Sequence, residues 1–502
     1  MDKEFSDNFN FSKYMDQVEN YDPILFVGYV VAVKGLDVVS KGPCSKIGEI
    51  CTIRLTDKTQ VMAEVVALDG NQVRLTLFGV TDGIEVGCEV VASGKPLQVP
   101  VGWSLLGRTI NALGKPCDGL GEIVPECYYP INAPGPDSST KLPIDRRITT
   151  GVKSIDSLLT MGKGQRIGIF AGSGVGKSTL LGTIARNTNA DINVIGLVGE
   201  RRKEVNEFKF DDLGEEGMKR SVIVVATGDE PAICRLRAAQ VCTAIAEFFR
   251  DQGKDVMLIM DNVTRFAKAQ REISLSKGEP PAQNGYPASV FDALPKLLER
   301  TGTNDKGSIT AFYAVLVDGD DMNEPIADTV RGVLDGHIVL SRKLANSYHY
   351  PAIDVLASVS RNANDVIGSN TRKAVAKVRE LMSTYQNNEQ MIVTGIYQKG
   401  ASEKIDEAID MHDQIEDFLK QEPEEGFTMD QTLEKLSVLS GIEIADDEYS
   451  ESPRKAHVVK SIVADGVSKA VEESGKNGDS SGTVVDTLVG GIQKERTAGN
   501  SQ

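Results

Sequence analysis

One short segment places glycines, a lysine and a hydroxyl side chain in the spacing that binds phosphate. It reads Ala171-Gly172-Ser173-Gly174-Val175-Gly176-Lys177-Ser178, follows an apolar run that ends at Phe170, and opens a helical pattern. Glycines let successive backbone N–H groups point at one phosphate, and the helix N-terminus adds positive potential. In this strand–loop–helix setting, Lys177 reaches the β- and γ-phosphates of a nucleotide and the Ser178 hydroxyl binds Mg²⁺. We therefore predict a nucleoside triphosphate site formed by Gly172, Ser173, Gly174, Val175, Gly176, Lys177, Ser178 and Thr179.

A second apolar run ends in an acidic residue, because Met257–Met260 is followed directly by Asp261. Open α/β sheets bind their ligands at the carboxyl ends of the strands. Asp261 is therefore a candidate ligand of Mg²⁺, either directly or through a water molecule. A strand-terminal aspartate can instead cap the helix that follows it, and this alternative stays open.

A third run, Val194–Val198, leads into Gly199-Glu200-Arg201. A carboxylate at this edge of a sheet can polarise a water molecule in line with the γ-phosphate, so Glu200 is the candidate catalytic carboxylate. Arg201 and the phosphate-binding Lys177 complete the set of candidate catalytic residues from this part of the chain. In the alternative interpretation, Glu200 forms a salt bridge with Arg201 or Arg202 and takes no part in chemistry.

These residues have to be positioned by a parallel sheet. From Gly151 to about Arg361, apolar strand-like runs alternate with helical stretches, as at 166–170, 194–198, 221–225 and 256–260. Continuous apolar strands between helices indicate a parallel sheet that is covered on both faces. We assign residues 98–371 to this α/β nucleotide-binding domain and regard 98–150, which is rich in Pro and Gly, as a linker into it.

The regions on either side have different patterns. Short β-branched runs separated by turn signals predict a small β-barrel over 25–97. Residues 372–445 contain no strand-like run after Met391-Ile392-Val393 and predict an α-helical C-terminal domain. Residues 1–24 are polar with scattered aromatics, which fits a frayed terminus or a partner-binding segment. Ser, Gly and charged residues predict a disordered acidic tail over 446–502.

The composition excludes several classes of protein. The chain has 502 residues, of which 40% are hydrophobic, and a net charge of −17, which opposes a general nucleic-acid binder. Its 7 cysteines form no CxxC pair, so we expect free thiols and neither structural zinc nor a disulfide framework. The N-terminus lacks a basic run with an apolar core, and no long apolar stretch occurs. We expect a cytoplasmic protein that contacts a membrane only peripherally.

Several longer stretches resemble the ATPase family of rotary ATP synthases and type III export machines. They are the Gly199-Glu200-Arg201 element, Asp261-Asn262-Val263-Thr264-Arg265-Phe266, Gly278-Glu279-Pro280-Pro281 and His349-Tyr350-Pro351-Ala352-Ile353-Asp354. Within that family, residues 168–178, 212–217 and 320–325 are most similar to the flagellar protein-export ATPase, whose sister is the injectisome ATPase of virulence secretion. The resemblance extends from about residue 25 to residue 444.

The resemblance implies a multidomain fold with a small N-terminal β-barrel, a central RecA-like P-loop domain and an α-helical C-terminal domain. It implies an ATP- and Mg²⁺-dependent homohexameric ring. Arg361 matches an arginine finger that reaches the γ-phosphate of the neighbouring subunit, and Tyr350 matches an aromatic that packs on adenine. The implied partners are a regulator dimer at the N-terminal segment, a coiled-coil stalk in the pore, export chaperone–substrate complexes and the export gate at the membrane. The loop 278–286 matches one that faces the pore.

The chain also departs from its relatives. Ala171 stands where the general pattern has Gly but matches the flagellar form, whereas Arg202-Lys203 replaces a usual Gly-Arg beside Glu200. Asn262 replaces a usual Ser, and Gln283-Asn284 replaces a Thr-Arg pair. The Arg202-Lys203 change keeps open a nucleotide-binding structural subunit without turnover. The sequence also leaves open an injectisome ATPase, a catalytic subunit of an ion-linked ATP synthase and a RecA-like helicase, the last of which the net charge opposes.

Overall fold

A small closed barrel lies near the start of the chain. The computed structural model describes residues 25–453 except 36, 138, 140, 318 and 320, so the predicted N-terminal segment and the tail beyond 453 lie outside the described residues. The strands of the barrel are Val27–Lys34 (β1), Asp37–Lys41 (β2), Glu49–Arg54 (β3), Gln60–Asp69 (β4), Gln72–Leu77 (β5) and Glu89–Pro96 (β6). They close in the order β1-β2-β5-β4-β3-β6, with neighbouring strands antiparallel. Inward side chains such as Val30, Val38 and Leu75 are fully buried, and the predicted barrel is confirmed.

The centre of the chain forms a sheet of nine strands. They are Thr109–Asn111 (β8), Arg166–Ala171 (β12), Ile192–Glu200 (β13), Ser221–Thr227 (β14), Asp255–Asp261 (β15), Gly302–Thr303 (β16), Ser308–Leu316 (β17), Gly336–Leu340 (β18) and Ile353–Ser360 (β19). Their order is β19-β18-β12-β17-β15-β13-β14-β8, and β16 lies beside β17. All pairs from β18 to β8 along this order are parallel, whereas β19 is antiparallel to β18. Apolar residues of these strands are buried, which confirms the predicted α/β domain.

Helices connect these strands and cover the sheet. Two hydrophobic clusters lie against it, one containing the helix Ala232–Asp251 and the other containing the helix Lys177–Asn187 and the C-terminal helices. The α-helices of this domain are Lys153–Leu158, Lys177–Asn187, Arg202–Glu207, Gly214–Lys219, Ala232–Asp251, Val263–Ser276, Ala288–Leu298, Pro325–Val333, Arg342–Asn346 and Ala363–Val366. The described helices include none that is long and apolar enough to cross a bilayer.

The segment that we regarded as a linker contributes to the sheet. Its strand Thr109–Asn111 pairs in parallel with β14, and Ile110 is fully buried there. Gln98–Val101 (β7) and Cys127–Pro130 (β9) form a two-stranded sheet, and Arg147–Ile148 (β10) pairs with Met161–Gly162 (β11). Short strands of two to four residues carry little periodicity, which is why the Pro and Gly content dominated the prediction.

The barrel is joined to the central domain by a buried ion pair. Arg237, on the helix Ala232–Asp251, donates from Nε to Glu64 Oε2 at 2.8 Å, and the two side chains are only 12% and 5% exposed. Such a pair leaves an uncompensated buried charge if one partner is removed. The orientation of the barrel on the central domain therefore depends on Arg237.

Three helices form the predicted C-terminal helical domain: Ser369–Val393, Glu403–Leu419 and Met429–Ser440. The strand-like run 391–393 is the last turn of the first helix. Residues 446–453, which we call the C-terminal strap, pack on the body although their composition predicted a disordered tail from 446. The Glu448 carboxylate caps the first helix by accepting the N–H groups of Asn370 and Thr371 at 2.8 Å. The buried guanidinium of Arg147 donates to two carbonyls of the strap.

Candidate nucleotide-hydrolysis site

The phosphate loop lies at the carboxyl end of β12, as the motif predicted. Gly174 and Gly176 have φ angles of 77° and 86°, in the left-handed region that a side chain disfavours. Gly176 is the residue that caps the helix Lys177–Asn187, so that the free N–H groups of the first helical turn point into the loop. The arrangement can bind an anion with its backbone and with the helix N-terminus.

The two predicted carboxylates lie at the same edge of the sheet. β15 and β13 are adjacent parallel strands in which Leu197 is the register partner of Asp261, and Glu200 ends β13 three residues later. The Lys177 ammonium binds Asp261 Oδ1, and Asp261 is 2% exposed. The structure thus brings Lys177, Asp261 and Glu200 together from three separate parts of the chain.

The residues at this edge fit a magnesium ion that is shared with phosphate. Mg²⁺ is usually held by one or two protein oxygens together with phosphate oxygens and water molecules, and seldom by a complete protein cage. Ser178 is the second residue of the helix that begins at Lys177, and Asp261 supplies a carboxylate. Among the residues that the structure describes, no cluster of three His, Cys, Asp or Glu side chains could hold a metal. An ion bound here would therefore depend on the nucleotide for part of its coordination.

Glu200 is held by a residue that sequence reasoning did not assign to the site. Asn262 donates from Nδ2 to Glu200 Oε1 at 2.8 Å, and its Oδ1 accepts the backbone N–H of Arg265, also at 2.8 Å. Asn262 is therefore at once the N-cap of the helix Val263–Ser276 and an orienting group for the carboxylate. Burial and the charge of Asp261 raise the pKa of Glu200 to about 7. A carboxylate with a pKa near neutrality is suited to take part in proton transfer.

A cavity of about 430 Å³ adjoins the phosphate loop and is bounded on one side by Tyr350. A methyl group added at Gly176 would lie 3.3 Å from the Tyr350 ring, so the ring packs directly on the loop. The turn 421–423 after the second C-terminal helix also lines the cavity, and Arg186 donates to its Pro423 carbonyl at 2.6 Å. The cavity has the size and partly apolar lining of a small-molecule site.

Arg201 and its neighbours lie outside this cluster. The Arg201 side chain is 85% exposed and pairs with Glu204 at 3.9 Å, and Arg202 pairs with Asp229 at 2.8 Å. Neither arginine is paired with Glu200 in the structure. Arg202 and Lys203 begin the helix Arg202–Glu207, whose backbone any residue adopts, whereas the left-handed turn is taken by Gly199 with a φ of 75°. The loss of the usual glycine at 202 therefore leaves the turn before Glu200 intact.

Arg361 lies where the parallel strands begin, at the edge of the sheet opposite to the carboxyl ends that carry the phosphate loop. It follows β19, whose Ser360 pairs with Gly336 at the start of β18, and its backbone N–H donates to the Asp335 carbonyl at 3.0 Å. Asp335 in turn binds Arg166, at the start of β12. The strand β12 runs from Arg166 to Ala171, and the phosphate loop follows its last residue. The five residues from Arg166 to Ala171 span about 16 Å of strand, which separates Arg361 from the loop. The exposed Arg361 side chain cannot reach the phosphate loop of its own chain.

Other residues near the site gave no signal in the sequence, because only the fold brings them there. Arg265 packs against Gly199 beside Glu200, and its buried Nε has no hydrogen-bond partner among the residues that the structure describes. Arg342 donates to the Ser173 carbonyl at 3.3 Å. Gln421 lines the same cavity as Tyr350, and its backbone N–H donates to the Tyr350 carbonyl at 2.9 Å.

Known proteins share this architecture over most of the chain. The profile of the ATP synthase alpha/beta family, nucleotide-binding domain, matches residues 151–360, its beta-barrel domain matches 28–94, and the T3SS EscN ATPase C-terminal domain matches 367–438. The flagellum-specific ATP synthase of Treponema pallidum is 52% identical over 434 residues, which are 86% of this chain and 97% of that protein. The chain belongs to the flagellum-specific and type 3 secretion ATPase family.

Other members of this ATPase family are similar over the same region. The type 3 secretion system ATPase of Xanthomonas euvesicatoria is 47% identical over 411 residues, covering 82% of this chain and 93% of its own. The assembled ATPase EscN of enteropathogenic E. coli has a TM-score of 0.78 at 42% identity, over 82% of this chain and 100% of EscN. The prediction of an ATPase from the flagellar and type III export family is confirmed, and so is its three-part fold. All 7 cysteines are free thiols, as expected.

Proposed function

We propose that this ATPase powers protein export through the flagellar type III apparatus as a homohexameric ring. The observation that carries the ring is the separation of Arg361 from the phosphate loop of its own chain. An exposed arginine at the opposite sheet edge can complete the site only of a neighbouring copy. EscN has been solved as an assembled ATPase, which supports assembly of this chain as well.

Within each site, we assign nucleotide binding to residues 172–179, with Lys177 on the β- and γ-phosphates. Ser178 and Asp261 would hold Mg²⁺, which supplies charge neutralisation on the β- and γ-phosphates when bound. Glu200 orients and polarises the attacking water, supported by Asn262, and Tyr350 stacks on adenine in the cavity beside the loop. Arg361 from the neighbouring subunit stabilises the charge of the transferring phosphoryl group. Arg201 remains a candidate catalytic residue, although its exposed side chain would have to turn inward from solvent to reach the site.

The partners follow from the family. EscN has also been solved in complex with its central stalk EscO, which supports a coiled-coil stalk in the pore of this ring. We further propose that a regulator dimer binds residues 1–24, that chaperone–substrate complexes deliver cargo, and that the ring docks at the export gate from the cytoplasm, peripheral to the membrane. The flagellar assignment is favoured over the injectisome because the flagellum-specific relative is 52% identical, whereas the type 3 secretion ATPases of Xanthomonas euvesicatoria and Salmonella typhimurium are 47% and 49% identical.

The test is steady-state Mg²⁺-ATPase activity as a function of protein concentration for wild type, Glu200→Gln and Arg361→Ala. We expect wild-type specific activity to rise with concentration as rings form. Both variants should lose turnover, while Glu200→Gln still binds ATP. If wild type bound ATP without turnover at concentrations where rings are seen, a structural subunit without catalysis would replace this proposal.

A further inference from the structure

The segment that carries Tyr350 is fastened to the C-terminal helical domain at two consecutive residues. His349 Nδ1 and Glu416 Oε2 are 2.8 Å apart, and the carbonyl of Tyr350 accepts the backbone N–H of Gln421 at 2.9 Å. Glu416 is in the last turn of the helix Glu403–Leu419, and Gln421 is in the turn that bounds the cavity beside the phosphate loop. The two bonds therefore link the Tyr350 side of the cavity to the end of one C-terminal helix and to the turn that follows it.

The bond between His349 and Glu416 is shielded from water on its histidine side. The His349 side chain is 4% exposed and that of Glu416 is 31% exposed. The hydrogen bond and charge of His349 lower the pKa of Glu416. A hydrogen bond to an ionised group is stronger than one between neutral groups, and burial strengthens it further because water does not compete. This bond is thus better suited to fix a loop than the exposed ion pairs on the same face.

The backbone before His349 is one that needs such support. Tyr348 has a φ of 57°, in the left-handed region, although its side chain is 87% exposed and packs on little. A residue with a side chain stays in that region only where surrounding contacts determine it. His349 is the next residue, and its buried bond to Glu416 is one of those contacts. The direction in which Tyr350 leaves this turn then depends on it.

We propose that His349, through its bond to Glu416, is a positioning residue that sets the Tyr350 ring against the nucleotide base. The inference rests on the proposed stacking of Tyr350 on adenine. Neither His349 nor Glu416 belongs to the lining of the cavity beside the phosphate loop, and neither belongs to that loop. Its loss should therefore weaken the contribution of the base to binding and leave the contribution of the phosphates unchanged.

The experiment compares the Mg²⁺-dependent binding of ATP with that of inorganic tripolyphosphate, which has no base. For His349→Ala and for Glu416→Ala, we expect the Kd of ATP to rise about tenfold, the equivalent of ~1.4 kcal/mol, while the Kd of tripolyphosphate stays unchanged. The double variant should lose no more than either single variant, because both remove one bond. His349→Asn places an amide nitrogen near the position of Nδ1 and should restore most of the ATP affinity.

Lys343→Ala is the matched control, since it breaks an exposed pair between the short helix Arg342–Asn346, which precedes this turn, and the helix Ser369–Val393, with Lys343 Nζ 3.4 Å from Glu389 Oε2. It should change neither Kd. Equal weakening of both ligands by Glu416→Ala, whose partly exposed site tolerates truncation, would mean general disorder and would overturn the proposal. Unchanged ATP binding in folded His349→Ala would also overturn it. Tyr350→Ala tests the stacking of Tyr350 on adenine separately from the positioning role of His349. If that variant binds ATP and tripolyphosphate as wild type does, the proposed stacking itself is wrong.

Discussion

Mixing two inactive variants tests whether Arg361 acts on a neighbouring subunit. Arg361→Ala leaves the Lys177, Asp261 and Glu200 cluster intact, and Glu200→Gln leaves Arg361 intact at the opposite edge of the sheet. Each variant alone should be impaired by ~10³-fold or more if the missing group is needed at every site. In a ring assembled from equal amounts of both variants, some interfaces are complete. These interfaces combine the intact Glu200 of an Arg361→Ala subunit with the intact Arg361 of a neighbouring Glu200→Gln subunit.

The expected magnitude follows from random assembly. A given interface draws each intact group with a chance of one half, so about a quarter of the interfaces in mixed rings should be competent if the finger acts in trans. If Arg361 served its own subunit, no mixed ring would hold a competent site. The mixed rings should therefore recover about a quarter of the wild-type rate in the first arrangement and stay at the level of the parent variants in the second, a difference of about 250-fold for a ~10³-fold loss.

The assay is single-turnover hydrolysis with ATP below the concentration of sites, so that cooperation between successive turnovers does not enter. Native mass spectrometry establishes that mixed rings are present. Arg372→Ala, which removes another exposed arginine close to Arg361 in the sequence, should hydrolyse ATP as wild type does. A mixture that contains mixed rings and yet stays at the level of its parents would refute the assignment of Arg361 to the neighbouring site.

Three further predictions concern single contacts. Asn262→Ser keeps a helix-capping hydroxyl but removes the donor to Glu200. Because the pKa of Glu200 is raised to about 7 and the ionised form is the active one, kcat/KM should fall as the pH drops through about 7 in wild type. In Asn262→Ser, this fall of kcat/KM should move to higher pH. A fall at the same pH as in wild type would argue against the contact between Asn262 and Glu200. Arg237→Ala should lower the free energy of unfolding by about 3–5 kcal/mol in urea titrations, because Glu64 is left buried and unpaired. A loss below about 1 kcal/mol, the value for an exposed pair, would contradict this. Glu448→Ala should lower the free energy of unfolding by about 0.5–2 kcal/mol, as expected for a lost helix cap. It should also speed hydrogen exchange at the amides of Asn370 and Thr371. Unchanged exchange at those amides would show that the strap does not cap the helix.

The parts of the site that the sequence predicted are those whose chemistry is local. The phosphate loop needs contiguous glycines between a strand and a helix, so residues 172–179 could be assigned from their order alone. Asp261 and Glu200 could be assigned because each ends an apolar run, and parallel strands bring such ends to one edge. Arg361 and Tyr350 carried no local signal and were assigned only through the family resemblance.

The parts that were missed depend on contacts between distant residues. The bond from Asn262 to Glu200 spans 62 positions, and that from Gln421 to Tyr350 joins two domains. The strap 446–453 has the composition of a disordered segment, but Glu448 caps a helix and Arg147 holds two of its carbonyls. A few specific hydrogen bonds can order a polar segment that buries little apolar surface, and composition does not register them.

The two edges of the sheet imply different requirements for binding and for turnover. Every group that we assign to nucleotide binding, from residues 172–179 to Tyr350, belongs to one chain. Arg361, which we propose to complete the transition state in a neighbouring subunit, lies at the edge that faces away from that site. An isolated subunit should therefore bind ATP and hydrolyse it slowly, and assembly should raise kcat far more than it lowers the Kd for ATP. A hydrolysis rate that depends on assembly would confine ATP consumption to the place where the ring forms.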